Sequence, residues 1–202
     1  MNHKITAAAL LFACIGALCF AQTQERKRGI YFDIGLGFSF TRYGSELDDV
    51  IKQVRDDGFD RMAVALDSSI GWAVTQKLYA VGSFCGLGDR LTYESSEKTA
   101  DYYVQINTYL FGLGIRWYPL PSGKYLQLGA DAGFGRFIAV SNIPGMKTAL
   151  SDWGFAQKLS IALDIDRTMT GPAILLGFEE LLEFVEDDTA AGFSIFVKFV
   201  FK

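Results

Sequence analysis

The ionisable residues with the most regular placement are Asp33, Asp67, Arg116, Asp131, Lys158, Asp164, Glu179, Glu183 and Lys198. Most have apolar residues on both sides, within runs where bulky and small side chains alternate. In an extended chain that spacing sends all of them to the less apolar face. Charges gathered on an enclosed face must be paired or hydrated, because one left alone costs several kcal/mol. Two kinds of chemistry fit: an ion-selective or gated path, or a structural network that fills an interior. Pairing Ile165 with Pro172 across a turn sets Lys158 opposite Glu179. Asp33 and Lys198 form a second expected pair, and Arg116 can reach Gln127 or Asp131. Asp67, Asp164 and Glu183 are left over, as expected for groups that hold water or cations near two mouths.

Catalysis is poorly supplied. The single histidine is His3, and two of the three cysteines, Cys14 and Cys19, lie in the same N-terminal stretch. Residues 1–21 read as a signal peptide: Lys4 gives the positive start, Ala7 to Phe20 is apolar, and Cys19-Phe20-Ala21 supplies small residues for cleavage. Alternatively, Leu11-Phe12-Ala13-Cys14 loosely matches a lipidation signal on Cys14. Cleavage after Ala21 removes one lysine and no acid, leaving 18 cationic against 23 acidic residues and a net charge of −5. It leaves no histidine, so neither a catalytic triad nor a histidine metal site is expected. No cofactor and no nucleic-acid partner are expected either. Cys85 reads as a small apolar residue.

Positioning these charges falls to eight segments with a two-residue period. In the first, Ile30, Phe32, Ile34, Leu36, Phe38 and Phe40 alternate with Tyr31, Asp33, Gly35, Gly37, Ser39 and Thr41. The others cover about 62–75, 78–93, 102–118, 125–140, 153–165, 172–185 and 190–202. Outward faces are read as Val64, Leu66, Ile70 and Trp72; Tyr109, Phe111, Leu113 and Trp117; Leu126, Leu128 and Phe134; Phe155, Leu159 and Leu163; and Ile174, Leu176 and Phe178. In the third segment Tyr79, Val81, Cys85 and Leu87 oppose Ala80, Gly82, Phe84, Gly86 and Gly88, and the glycine face is expected inside. Ser45, Leu47, Val50, Ile51 and Val54 have helical spacing within the first long loop. Gly-x-Gly triplets such as Gly112-Leu113-Gly114 lie inside strands, with no helix following, so they are not phosphate loops. The 21 glycines and 17 phenylalanines are both numerous, since glycine is usually about 7% of a globular chain.

The last stretch, Ala190 to Lys202, puts Phe193, Ile195, Val197, Phe199 and Phe201 on one face, and the chain stops there. It resembles the closing strand of bacterial outer-membrane β-barrels, whose final aromatic residue, here Phe201, is read by the insertion machinery. The final Lys202 departs from that pattern. From Ile30 to Phe201 the chain resembles the small eight-stranded barrels of the OmpX, OmpA-barrel and OmpW type. The resemblance implies an all-β, eight-stranded antiparallel up-and-down transmembrane barrel over residues 30–202. A periplasmic leader (22–29) precedes it, and both termini lie in the periplasm. It implies an outer-membrane location, with outer-membrane lipid and the assembly machinery as partners. Trp72, Trp117, Tyr118, Tyr125, Phe199 and Phe201 are expected as an aromatic girdle at the periplasmic rim. A structural or surface role follows, with host or surface ligands met through loops 44–61, 94–101 and 141–152 and the lumen closed by charged side chains. The alternative is an OmpW-like channel for small or hydrophobic molecules. A lipocalin-like soluble barrel is the competing fold, with the apolar face turned inward.

Overall fold

A computed structural model describes residues 29–44, 51–52, 60–93, 102–120, 126–145, 148–165, 172–185 and 188–201. The expected signal peptide, Tyr125 and most of the expected loop helix lie outside them. Of that helix, Ile51 and Lys52 are described, both helical.

Alternating side chains produce strands at every segment expected. They are β1 (Ile30–Tyr43), β2 (Asp60–Ala73), β3 (Leu78–Tyr93), β4 (Tyr102–Trp117), β5 (Leu126–Ser141), β6 (Gly154–Asp164), β7 (Pro172–Val185) and β8 (Asp188–Phe201). Each pairs antiparallel with the next, and β1 pairs with β8 from Phe32↔Phe201 to Tyr43↔Ala190, so the sheet closes on itself. Between β5 and β6, the two residues Ala149–Leu150 pair with Ala139 and Ile138 and prolong the hairpin. Among the described residues no helix is long and apolar enough to cross a membrane. A closed sheet needs none, because every strand finds its backbone partners within the ring.

The polarity of the wall is inverted relative to a soluble barrel. Phe32, Phe111, Leu163 and Phe199 are all exposed, whereas Asp33 and Lys158 are fully buried. Phe38 and Phe40 on β1 are 69% and 70% exposed. An apolar belt of this extent facing water is not how soluble proteins are built; facing hydrocarbon, it satisfies both surfaces. The lipocalin-like arrangement is excluded by the same observation.

Strand β3 corrects the expectation from glycine content. Tyr79, Val81, Cys85 and Leu87 point inward and the glycines point out. Register decides it: Asp67 pairs with Cys85 and Ser69 with Ser83, and paired residues share a face. Bulk inside β3 then fills space that the small inward residues of its neighbours leave. Leu87 reaches across the lumen until a Cβ at Gly192 of β8 would lie 2.1 Å from its Cδ1, so a larger residue there would make the tip of Leu87 move.

Candidate functional site

The inward side chains form tiers along the barrel axis. At the end holding Ile30 and Phe201, Tyr31, Tyr79, Tyr118, Phe196 and Val200 pack together. The Tyr31 and Tyr79 rings are 4.9 Å apart. Gln127 Nε2 donates to the hydroxyls of Tyr31 (2.9 Å) and Tyr118 (2.7 Å). Tyr118 is thus a lumen residue, 2% exposed, and not part of the girdle expected for it. Alternation demands this, since Trp117 points out. Trp72, Trp117, Phe199 and Phe201 are exposed on the outer wall.

Above the tyrosines lies a charged tier. Tyr31 and Ser69 both donate to Asp33 Oδ2, at 2.7 and 2.6 Å, and Arg116 Nε stands 3.6 Å from the same oxygen. Arg116 Nη1 donates to Asp131 Oδ1 at 2.8 Å. Lys158 Nζ donates to both oxygens of Asp67 at 2.6 Å and lies 3.3 Å from Asp131 Oδ2. Lys198 also donates to Asp67, and its Nζ is 3.4 Å from Glu179 Oε2. Three cations and four carboxylates therefore form one connected network in which every cation touches two carboxylates.

The expected pairings are corrected by this geometry. Lys158 does not meet Glu179, because Ile165 pairs with Ile174 and not Pro172; the two-residue offset brings Leu181 opposite Lys158 and Ser160 opposite Glu179. Nor does Lys198 meet Asp33. Its register partner on β1 is Gly35, and its ammonium turns to Asp67 and Glu179. Of the two partners expected for Arg116, Asp131 is the one it binds. Asp67 is not near a mouth but in the middle of the network.

An apolar tier of Ala65, Cys85, Leu87, Leu110, Ala156 and Leu181 follows. Cys85 is a buried free thiol within it. A second polar tier escaped the sequence reading altogether. Arg61 Nη2 donates to Asp89 Oδ2 at 2.6 Å and to the Thr41 carbonyl at 2.7 Å, while Thr41 and Tyr43 also donate to Asp89. Asp89 was legible only with β3 in its true orientation, for it shares the inward face with Cys85 and Leu87. Glu183 is buried in this half, and among the described residues neither of its oxygens has a hydrogen-bond partner. Asp164 is buried at the opposite end, on the last residue of β6. Tyr43, Ile51, Leu91, Ile106, Phe137, Val185 and Ala190 form the final cluster, which the first long loop enters through Ile51. No group of three or more His, Cys, Asp or Glu side chains that could hold a metal ion occurs among the described residues.

No protein-family model and no curated protein matches the chain. Solved structures do. The attachment invasion locus protein Ail of Yersinia pestis, in complex with the heparin analogue sucrose octasulfate, superposes with a TM-score of 0.58 at 14% identity, over 85% of this chain and 99% of Ail. A second Ail structure gives 0.56 at 12% identity, over 85% and 98%. Neisserial surface protein A aligns more loosely, with a TM-score of 0.44 at 11% identity, over 86% of this chain and 98% of that one. At these identities the likeness is one of fold. With its apolar wall and charged axis, the chain is a closed eight-stranded antiparallel barrel with the architecture of the small outer-membrane β-barrels.

Proposed function

We propose that the chain is an integral outer-membrane protein whose barrel is a sealed scaffold, and whose loops at one end meet host or partner molecules. The observation that carries this reading is the succession of tiers on the axis. A hydrated ion moving through would cross the tyrosine floor, the charged network and the dry layer around Leu87, Leu110 and Leu181. An eight-stranded barrel is only wide enough for side chains to fill, and an apolar constriction of this kind repels water. Beyond residue 21 the chain has no histidine, and the reading involves no catalytic step.

Orientation follows from link length. The segments after β1, β3 and β5 share one end of the barrel and are longer on average than those after β2, β4 and β6, which share the other with Ile30 and Phe201, although the segment after β7, at the first end, is short. Short turns face the periplasm in outer-membrane barrels, which turns loops 44–61, 94–101 and 141–152 to the outside. Ail was solved with a sulfated heparin analogue, but loops 44–61 and 94–101 here carry nine acids against four bases. A basic partner suits them better than a polyanion.

Conductance in planar bilayers tests the sealed scaffold. Wild-type protein is expected to give no steady current, and shortening Leu87, Leu110 and Leu181 together to alanine is expected to introduce a leak. A steady wild-type current that disappears on Lys158→Ala or Asp33→Ala would overturn the reading in favour of a small channel.

A further inference from the structure

The outward faces of β3 and β4 change character toward the end where the segments after β1, β3 and β5 emerge. Phe84 and Phe111, opposite each other, are the last phenylalanines on those faces in that direction. The next three rungs pair Gly86 with Tyr109, Gly88 with Asn107 and Arg90 with Gln105, and Gln105 Nε2 donates to Asn107 Oδ1 at 2.7 Å. Arg90 is exposed, its guanidinium carbon 4.5 Å from the centre of the Tyr103 ring. Arg136 of β5, the register partner of Tyr109, has its guanidinium carbon 5.0 Å from the Trp153 ring, and its Nη2 donates to the Ser151 carbonyl at 2.8 Å. Among the described residues no Asp or Glu takes an outward position on β3, β4 or β5, and neither arginine has an ion pair. In a chain of formal net charge −4, this sector of the wall is cationic.

Depth follows from the slope of the rungs. The rung that starts at Asp67, mid-strand on β2, passes Cys85, Leu110 and Gly135 and reaches Gly154, the first residue of β6. Rungs therefore climb toward the loop end from β2 to β6. Arg136, two rungs below Arg90 but two strands further on, lies close to it in depth, with Phe84, Phe111 and Phe134 beneath the pair. β1 and β2 turn polar toward the same end, at exposed Arg42 and Asp60, above Phe40 and Met62. Ile138 and Val140 climb with β5 above Arg136, into the hairpin that Ala149–Leu150 prolongs.

Stacking on a ring holds a guanidinium in place and leaves edge N–H groups for an anion, and phosphate fits that fork. The pairing strengthens at the border of hydrocarbon, where water competes less. Four residues along and two strands across put the Cα atoms of the two arginines roughly 16 Å apart. That spacing suits a headgroup with two phosphates better than one shared phosphate. The phenylalanines beneath offer the acyl chains of the same molecule an apolar surface.

We propose that this sector binds one diphosphorylated lipid of the outer leaflet, with a phosphate on each of Arg90 and Arg136 and its acyl chains over Phe84 and Phe111. The site rests on the membrane-spanning reading and the orientation above. It adds a lipid class and a place on the wall.

The full chain would be inserted into nanodiscs of a choline-headed phospholipid that hold equal amounts of the diphosphoryl and monophosphoryl forms of one acylated disaccharide lipid. Its β-sheet circular dichroism would be checked, and the disaccharide lipid it retains on transfer to detergent would be counted by native mass spectrometry. Wild type is expected to retain the diphosphoryl form about fivefold over the monophosphoryl form, an increment typical of one partly exposed charge pair. Arg90→Gln and Arg136→Gln should each bring the ratio to about one, because either change leaves the second phosphate without its partner. Arg42→Gln, which removes an exposed arginine at the same end of β1, should leave the wild-type ratio unchanged. Equal retention of the two forms by wild type, a ratio unchanged by Arg90→Gln, or an equal fall in all three variants would overturn the site while leaving the barrel in its membrane. Failure of the wild type to insert would contradict the membrane-spanning reading itself, and the site with it.

Discussion

Asp67 is the residue on which the charged tier turns. Both lysines of the lumen, Lys158 and Lys198, donate to it, one from β6 and one from β8, while the carboxylate itself comes from β2. Replacing it by asparagine leaves two buried ammonium groups facing each other with one shared acceptor gone. Removing one partner of a buried pair typically costs about 3–5 kcal/mol. Urea unfolding in phospholipid vesicles should register a loss of that size for Asp67→Asn, and a change below about 1 kcal/mol would mean that the network is not holding the wall. The sequence made the members of this tier legible because each sits at an inward position of a clear alternation. Their partners were hidden. Cross-strand reasoning reaches only adjacent strands, whereas Lys158 and Lys198 extend long stems to a carboxylate on another part of the ring.

At the scale of the strand, the two-residue period was enough to mark every barrel element and, for seven of the eight, which face looks outward. β3 is the exception, because its glycines lie on the outward face and its bulkier residues on the inward one. The neighbours set this, since inward Asp67 and Ser69 fix Cys85 and Ser83 beside them. The same reversal concealed Asp89. A two-residue slip at the β6–β7 turn likewise changed every cross-strand partner while leaving every face unaltered, as an even offset must. The faces themselves can be tested on β1. Leu36 is 68% exposed in the middle of that strand's apolar face. Leu36→Arg should cost about 2–4 kcal/mol in vesicle-based unfolding if that face meets the bilayer midplane. On a water-facing strand the same change would be close to neutral.

For the whole molecule, one inversion accounts for composition, fold and proposed role together. Large apolar residues line the outside of a closed ring, and charges, tyrosines and a few leucines fill its axis. Closure removes free strand edges, and in the proposed sealed scaffold the contacts with other molecules would fall to its loops and its outer surface. The inversion can be measured in place. With Cys85 replaced by serine, single nitroxide labels at Leu36, Leu113, Leu159 and Val197 would be examined in the vesicle-inserted chain for collisions with oxygen and with a water-soluble nickel chelate. All four should collide with oxygen in preference to nickel, as side chains in hydrocarbon do. Preferential collision with nickel at these positions would put the apolar face in water and contradict the membrane-spanning barrel.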